Sequence, residues 1–391
     1  MGNKPRIRFK GFNDDWEQRK LDSLGKIITG NTPSTSKKEY WSPNSDGVVW
    51  ITPTDINSVK TQCSERLLTK DGASQARIVP ANSILVTCIA SIGKNTINTV
   101  EAAFNQQINA LVPHFSNSYF ILTMLNNMES AFKRVAGTSA TSIINKKEFG
   151  QLSALLPEIE EQNKIGRIFE LIDNNITLHQ CKLEKLKLTK KALLQKLFPK
   201  NGKHIPEIRF KGFTDAWEQY KLSDITEVIM GQSPSSKNYT DNPNDDILVQ
   251  GNADLKDGKV VPRLWTKEIT KTIDKGGIIL TVRAPVGDVA KTDYKVVLGR
   301  GVAGIKGNDY IYQFLQKLQY NRYWVSLSSG STFESINSND IKDLIIDIPS
   351  IEEQTKISML LNNVNSIITL HQRKLERLQE VKKGLLQKMF V

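Results

Sequence analysis

The feature that most constrains this chain is an internal repeat. Residues 5–21 read PRIRFKGFNDDWEQRKL and residues 206–222 read PEIRFKGFTDAWEQYKL, so 13 of 17 positions are identical. A second pair of segments, 157–198 and 349–390, matches at 23 of 42 positions. A repeat of this kind sets the number of structural units in the fold. The order A–B–A′–B′ predicts a duplicated chain with two equivalent halves.

Between the repeated segments the two halves share only traces of sequence, such as ILVTCIASIG at 84–93 and IILTVRAPVG at 278–287. These divergent segments alternate short β-rich runs with Asp-Gly turns and helical patterns. The predicted strands are 48–52, 83–88, 247–250 and 277–282, and the predicted helices lie near 118–134 and 309–324. Each divergent segment is therefore predicted to be a mixed α/β globule.

The repeated segments 157–198 and 349–390 are predicted to be long helices. Each begins with proline and then Glu-Glu-Gln, and acidic side chains suit the positive end of a helix. Apolar residues recur at spacings of 3, 4 and 7, with one four-residue stutter, which is the pattern of a coiled-coil seam. The seam positions are Ile165, Ile168, Ile172, Ile176, Leu183, Leu186, Leu193 and Leu197, and Ile357, Leu360, Val364, Ile368, Leu375, Leu378, Leu385 and Met389. His179 and His371 occupy matching seam positions, where a polar layer that fixes the register is expected.

A narrow apolar seam on a long helix requires a partner helix. The simplest partner is the other copy, packed antiparallel so that a pseudo-twofold axis relates the halves. The predicted fold class is thus α/β (α+β), with two globular domains separated by two long antiparallel coiled-coil helices. The predicted boundaries are 1–156 for the first globular domain, 157–200 for the first helix, 201–348 for the second domain and 349–391 for the second helix.

Composition favours a soluble globular protein with a polyanionic partner. Lys and Arg number 53 against 41 Asp and Glu, a net charge of +12, and the chain is 39% hydrophobic. The first residues, MGNKPRIRFKGF, contain no signal-like apolar stretch, and no run of about 18 apolar residues occurs. Three cysteines, Cys63, Cys88 and Cys181, are too few and too scattered for a disulfide framework or a zinc site. A cytoplasmic protein is expected.

No catalytic motif with the required context is present, so a non-catalytic chain without a bound metal is expected. The segment Gly299-Arg300-Gly301-Val302-Ala303-Gly304 matches a dinucleotide-binding pattern, but turn-like residues follow it where a helix should begin. The corresponding residues of the first half, 105–110, contain no glycine. We expect no cofactor on this chain.

The divergent segments do carry side chains suited to DNA. Hydroxyl, amide and ammonium groups bind phosphates, and Asn, Gln, Arg and Lys also reach base edges in the major groove. In the first half the candidates are Thr32, Ser34, Lys37, Lys38, Tyr40, Asn105, Gln106, Gln107, Thr138 and Ser139. In the second half they are Ser233, Ser235, Lys237, Tyr239, Arg283, Arg300, Ser331 and Thr332. Any one of these residues can equally be part of a solvated turn, but recurrence in both halves favours a used surface.

Lysines also crowd the first predicted helix, at Lys182, Lys185, Lys187, Lys190, Lys191 and Lys196. A solvated helix face is the simpler interpretation. Contact with DNA phosphates between two half-sites is the alternative.

The repeated motifs resemble those of the specificity subunits of type I restriction-modification systems. They are the Trp-Glu-Gln/Lys-Leu motif at 16–21 and 217–222, the Gly-x-Thr/Ser-Pro loop at 30–33 and 231–234, and Pro-x-Ile-Glu-Glu-Gln at 157 and 349. Each motif is modest by itself, but the same order occurs twice and spans nearly the whole chain. The resemblance implies two target-recognition domains that each read one half of a bipartite double-stranded DNA target, spaced by the long helices.

The resemblance further implies partners. Two methyltransferase (modification) subunits would dock on the helices, and restriction/translocase subunits would join them. S-adenosylmethionine, ATP and Mg are then expected in the partner subunits. Two alternatives from other classes stay open: a methyltransferase or nuclease with its own active site in a divergent segment, and a duplicated coiled-coil scaffold that binds no DNA.

Overall fold

The computed structural model describes residues 4–43, 46–136, 143–200, 202–283, 285–328 and 335–390. The described residues form two compact units. The first unit contains those of Met1–Gln180 together with those of Arg373–Val391, and the second contains those of Cys181–Gln372. Each unit therefore combines one divergent segment with parts of both long helices. The four-part division of the chain made from the sequence stays a prediction.

The first unit contains two five-stranded sheets and a short two-stranded one. Its strands are Glu17–Lys20, Gly25–Thr29, Trp41–Ser42, Val48–Ile51, Lys60–Thr61, Leu67–Leu68, Ile78–Val79, Ile84–Thr87, Asn95–Asn98, Ala102–Phe104, Ile108–Pro113 and Ser153–Leu156. Its short helices are Leu21–Ser23, Lys38–Tyr40, Lys70–Ser74, Ser118–Asn127, Glu129–Ala136 and Lys146–Gln151. All four residues of Ile84–Thr87 are buried, because Ile84 and Val86 pack into one apolar cluster and Leu85 into another, so that both faces of the strand are covered.

The second unit contains a six-stranded, a five-stranded and a two-stranded sheet. Its strands are Glu218–Lys221, Val228–Met230, Tyr239–Thr240, Asp246–Val249, Leu255–Lys256, Lys259–Val260, Trp265–Thr266, Thr272–Ile273, Ile278–Thr281, Val289–Lys291, Val296–Leu298, Val302–Ile305 and Ile345–Ile348. Its short helices are Leu222–Ile225, Ser236–Asn238, Asn252–Asp254, Asp309–Tyr320, Tyr323–Ser328 and Ser338–Lys342. The four strands predicted from the sequence are all present, each within two residues of its predicted ends.

The two long helices are Ile159–Lys196, with 38 residues, and Ile351–Met389, with 39. All sixteen apolar seam residues predicted from the sequence are buried or half-buried, and so are His179 and His371. The coiled-coil pattern is thereby confirmed. Within the part of the chain that the structure describes, none of the helices is both long and apolar enough to cross a membrane.

In each unit the beginning of one long helix packs near the end of the other. In the first unit the rings of Phe169 and Phe390 lie 5.9 Å apart between centroids. In the second unit Leu194 and Leu197 share one apolar cluster with Ile357. Within each unit the segments of the two long helices therefore run in opposite directions, as predicted.

The repeated motifs of the first unit meet at a buried ion pair. Arg8 donates from Nε and Nη2 to the two carboxylate oxygens of Glu161, each at 2.8 Å, and Trp16 Nε1 donates to Glu161 at 3.3 Å. The Glu161 side chain has no solvent-exposed surface. A buried carboxylate is tolerated only when its lone pairs are occupied, and here three N–H groups occupy them.

The second unit repeats this arrangement. Arg209 donates to both oxygens of Glu353 at 2.8 and 2.9 Å, and Trp217 Nε1 donates to Glu353 at 3.1 Å. The Arg-Phe-Lys-Gly-Phe, Trp-Glu-Gln and Ile-Glu-Glu-Gln repeats thus have a structural explanation. They tie the start of each long helix to the N-terminal end of its divergent segment.

A two-stranded antiparallel ladder closes each divergent segment. In the first unit Glu17–Lys20 pairs with Ser153–Leu156, and in the second unit Glu218–Lys221 pairs with Ile345–Ile348. The two ends of each divergent segment are therefore adjacent. An insert with adjacent ends can vary in sequence without disturbing the frame that holds it.

One helix lysine does not lie on a solvated face. Lys190 occupies the seam position between Leu186 and Leu193, is 5% exposed, and donates from Nζ to Gln316 Oε1 at 2.8 Å. Burial lowers the pKa of Lys190 to about 8. For this residue both sequence interpretations, solvated face and phosphate contact, are wrong, because Lys190 packs against Gln316 and the Tyr320 ring of helix Asp309–Tyr320 and is thereby removed from solvent.

We expect Lys190→Met to raise the free energy of unfolding at pH 7 by about 1–3 kcal/mol. The pKa of Lys190 is depressed in the folded state from 10.5 to about 8, so the unfolded chain binds more protons between these values. Below pH 8 the cost of charging the buried lysine is fully present. It is lost as the pH rises from about 8 towards 10.5, so the advantage of the methionine variant shrinks over that range. Urea unfolding of both proteins at pH 7 and pH 10 measures the difference.

The equivalent position on the second long helix supplies a matched control. Lys382 lies 2.5 Å from Asp173, whose side chain also accepts a hydrogen bond from Tyr119 Oη at 2.8 Å. Lys382→Met leaves the Asp173 carboxylate without its cation and is expected to destabilise the chain. An unchanged or lowered stability of Lys190→Met at pH 7 would contradict the prediction.

Candidate nucleic-acid interface

In the first unit the loop 30–40 lies against the turn 105–107. The backbone N–H of Gly30 donates to the carbonyl of Ile108 at 3.0 Å. A Cβ atom on Gly30 would lie 2.3 Å from the carbonyl oxygen of Asn105, so this close approach of two backbones requires glycine. The loop and the turn, which are far apart in sequence, thus form one surface.

The turn 105–107 presents Gln106 at its apex. The Asn105 side chain accepts the backbone N–H of Gln107 at 2.8 Å, which fixes the turn locally. Gln106 is exposed, and the hydroxyl of Thr32 donates to its Oε1. Of the three predicted turn residues, Asn105 is therefore committed to the turn itself, Gln107 is half-buried, and Gln106 is exposed with its Oε1 held by Thr32.

Two tryptophans that sequence reasoning did not select hold the loop in place. Trp50 Nε1 donates to the carbonyl of Asn31, and Trp41 Nε1 donates to that of Ser34, both at 3.2 Å. The two rings meet edge to face at 5.0 Å between centroids. The sequence signal that could have identified these two residues is the presence of two tryptophans close after the Gly-x-Thr-Pro loop.

The remaining candidates on this loop carry ammonium or hydroxyl groups, and all but Tyr40 are exposed. Lys37 and Lys38 are exposed, Tyr40 is half-buried, and Lys37 Nζ donates to Tyr40 Oη at 3.2 Å. This hydrogen bond raises the pKa of Lys37. The hydroxyls of Ser34 and Ser36 lie 2.8 Å apart. Lysine ammonium groups beside hydroxyl groups are suited to phosphate oxygens.

The second unit builds the same arrangement from loop 231–240 and turn 299–301. The backbone N–H of Gly231 donates to the carbonyl of Val302 at 3.0 Å. A Cβ atom on Gly231 would lie 2.0 Å from the carbonyl oxygen of Gly299. The glycine is therefore required here for the same reason as Gly30.

The turn 299–301 presents Arg300 at its apex. Its backbone N–H donates to Ser233 Oγ at 3.0 Å, and its side chain is exposed. A Cβ atom on Gly301 would lie 2.1 Å from the carbonyl oxygen of Gln250, so the turn packs tightly on the neighbouring strand end. A strand, Val302–Ile305, follows this turn. The dinucleotide-like pattern therefore lacks the helix N-terminus that phosphate binding by that motif requires.

A further glutamine, which the sequence did not single out, connects the loop to the turn in the second unit. Gln250 Nε2 donates to Tyr239 Oη at 2.8 Å. The backbone of the same residue packs against Gly301 of the turn. Gln250 thus lies between Tyr239 of the loop and the turn that carries Arg300. Lys237, on the same loop, is exposed.

Glu268 fixes the loop of the second unit, as the tryptophans do in the first. One of its carboxylate oxygens accepts the backbone N–H of Ser235 at 2.8 Å and the side-chain amide of Asn238 at 2.7 Å. These two hydrogen bonds, that from Asn238 first, lower the pKa of Glu268. The same two hydrogen bonds anchor the carboxylate to the loop.

Five predicted residues lie apart from this arrangement or outside the described part of the chain. Arg283 is exposed and forms an isolated antiparallel bridge with Ser335. Thr138, Ser139, Ser331 and Thr332 lie outside the described residues. The use of every predicted site residue for DNA contact stays a prediction.

Known proteins match the chain along its length. The family model for the type I restriction modification DNA specificity domain matches residues 13–188 and again 214–380. A putative type I restriction enzyme MjaX specificity subunit of Methanocaldococcus jannaschii is 28% identical over 399 residues, which cover 95% of this chain and 92% of that protein. A type I restriction enzyme specificity subunit of Escherichia coli is 32% identical over 184 residues, 44% of each chain.

The fold also has a solved counterpart. The S subunit of a type I restriction-modification system from M. genitalium superposes with a TM-score of 0.72 at 15% identity, over 99% of both chains. At this identity the likeness concerns the fold. The predicted fold class is confirmed.

Proposed function

The chain belongs to the family of type I restriction-modification DNA specificity proteins, and we propose on that premise that each of its two units reads one half of a bipartite DNA target. The observation that carries this proposal is the surface formed twice, by loop 30–40 with turn 105–107 and by loop 231–240 with turn 299–301. In both units a glycine permits the close backbone contact that creates the surface. Both surfaces expose lysine and hydroxyl groups beside one long polar side chain.

Different residue types are assigned to phosphate binding and to base recognition. Lys37, Lys38 and Lys237, with the neighbouring serines, bind phosphates and so position each unit on the duplex without reading sequence. Gln106 and Arg300 reach base edges in the major groove, where each base pair has a distinct pattern of donors and acceptors. A net charge of +12 supports the electrostatic part of this assignment.

The long helices serve as docking surface and spacer. Exposed leucines that the coiled-coil seam does not use lie on them, among them Leu178 in the first unit, 50% exposed, and Leu370 in the second, 66% exposed. Interaction surfaces are typically contiguous exposed apolar patches, and we expect these leucines to belong to such patches. Methyltransferase subunits bind here, restriction/translocase subunits join that complex, and the length of the helices sets the separation of the half-sites.

The chain itself is a non-catalytic subunit in this proposal. It gives one sequence preference to both methylation and restriction, and the partner subunits bind S-adenosylmethionine, ATP and Mg²⁺. Methyl transfer to DNA by the purified chain alone would contradict this and support an enzyme with its own active site.

DNA binding across a salt series tests the proposal. The chain assembled with its methyltransferase partner is expected to bind DNA with an affinity that falls steeply with salt. Replacing both Lys37 and Lys38 by alanine should lower the slope of log affinity against log salt by about 0.9 for each phosphate that is no longer neutralised. Replacing Lys4 and Lys10 removes the same charge from the N-terminal segment and should leave the slope nearly unchanged. Absent or salt-indifferent binding by the assembled complex would support the DNA-free scaffold instead.

A further inference from the structure

The turns 105–107 and 299–301 occupy equivalent places in the two units. The backbone N–H of the residue after each turn donates to the carbonyl of its first residue, from Ile108 to Asn105 at 3.0 Å and from Val302 to Gly299 at 3.2 Å. Each turn is followed by a strand that pairs with the strand leading into its polar loop. Gln106 and Arg300 are therefore structurally equivalent residues, although their side chains differ in chemistry.

Both side chains are presented on backbones that cannot easily move. The Cβ positions of Gly30 and Gly231 are filled by carbonyl oxygens of the turns, and that of Gly301 by the carbonyl of Gln250. The backbone N–H of Arg300 is held by Ser233. A rigid backbone lowers the entropic cost of binding for the long side chain that it carries.

The side chains of Gln106 and Arg300 differ in the hydrogen-bonding groups that they present to a ligand. The Gln106 amide has its Oε1 beside the Thr32 hydroxyl, which orients it and leaves its NH₂ group and a second lone pair for a ligand. Among the described residues, the Arg300 guanidinium has no hydrogen bond or ion pair. Its five N–H donors are thus available in a fixed fork.

A primary amide pairs bidentately with adenine N6 and N7, whereas a guanidinium pairs bidentately with guanine O6 and N7. We propose that Gln106 and Arg300 are specificity-determining residues, which read adenine in one half-site and guanine at the equivalent position of the other. This inference rests on the proposed function, since it assigns base contacts to the surface described there. It predicts that the two half-sites differ in the purine read at that position.

The test is a paired substitution in the full chain assembled with its methyltransferase partner, with binding measured to a pool of duplexes randomised across the target. Arg300→Gln should replace guanine by adenine at one position of a single half-site. Affinity for the original guanine duplex should fall by about tenfold or more. Gln106→Arg should produce the reverse change in the other half-site. Both residues are exposed, so thermal unfolding should be unchanged, and this is checked alongside.

The outcomes separate this inference from the proposed function. If Arg300→Gln weakens all duplexes equally and lowers the salt slope, Arg300 contacts a phosphate, and the assignment to a base is overturned. If selection by the unsubstituted complex is sharp but neither variant alters it, the inference also fails, and the proposed function stands. If the unsubstituted complex selects no sequence at all, the proposed function itself fails.

Discussion

Replacing Glu353 by alanine is expected to lower the free energy of unfolding by about 3–5 kcal/mol, the typical cost of removing one partner from a buried ion pair. The Glu353 side chain is 1% exposed and that of Arg209 is 13% exposed, so little water can replace the missing carboxylate. The indole N–H of Trp217 loses its acceptor as well. Denaturant unfolding of the full chain, followed by circular dichroism, measures the change.

Glu352 offers a control one residue away. It is an exposed carboxylate in the first turn of the same helix, where its favourable interaction with the helix dipole is worth at most about 1 kcal/mol. Glu161→Ala in the first unit should behave as Glu353→Ala does. The double variant Arg209→Met with Glu353→Leu should cost less than Glu353→Ala, because no buried charge is left unpaired. Equal losses for Glu352→Ala and Glu353→Ala would contradict the assigned role.

Exchanging residues 22–156 for the corresponding segment of a relative with another target is expected to change one half-site completely and leave the other intact. The exchanged segment contains the loop 30–40 and the turn 105–107, whereas the second unit keeps its own loop and turn. The exchange leaves strand Glu17–Lys20 in place, and the donor strand pairs with it through the backbone. Mapping methylated positions in DNA exposed to the chimaera and its methyltransferase partner gives the half-sites.

The reciprocal exchange of residues 223–348 is the matched control and should alter only the other half-site. A chimaera that retains both original half-sites would show that the exchanged segment does not read DNA. One in which both half-sites change would show that the two units do not read independently.

Much of the fold could be predicted because the patterns responsible are local or repeated. The heptad spacing assigned every apolar seam residue correctly, since the side chains of a regular helix project at fixed angles. The strand Ile84–Thr87 corresponds to the predicted strand 83–88, which is a short β-rich run of suitable length. The stretch predicted as a helix near 118–134 contains two separate helices, Ser118–Asn127 and Glu129–Ala136, with the break at Met128.

Contacts between distant residues could not be predicted in this way. The motifs around Arg8, Trp16 and Glu161 were all visible as repeats, yet only the structure shows that one ion pair joins them across 153 residues. The packing of Gly30 against the 105–107 turn likewise joins residues that are far apart in sequence. No periodicity in the sequence encodes which loop packs on which turn.

The sequence by itself determined that the chain is duplicated, that two long helices with an apolar seam frame two divergent segments, and to which family it belongs. The tertiary structure decided which side chains are available for recognition. It buried Lys190 in the helix seam, committed Asn105 to its own turn, and left Gln106 and Arg300 exposed at equivalent apices. The physical reason is that helix and strand patterns depend on neighbours a few residues away, whereas exposure depends on packing between segments far apart in sequence.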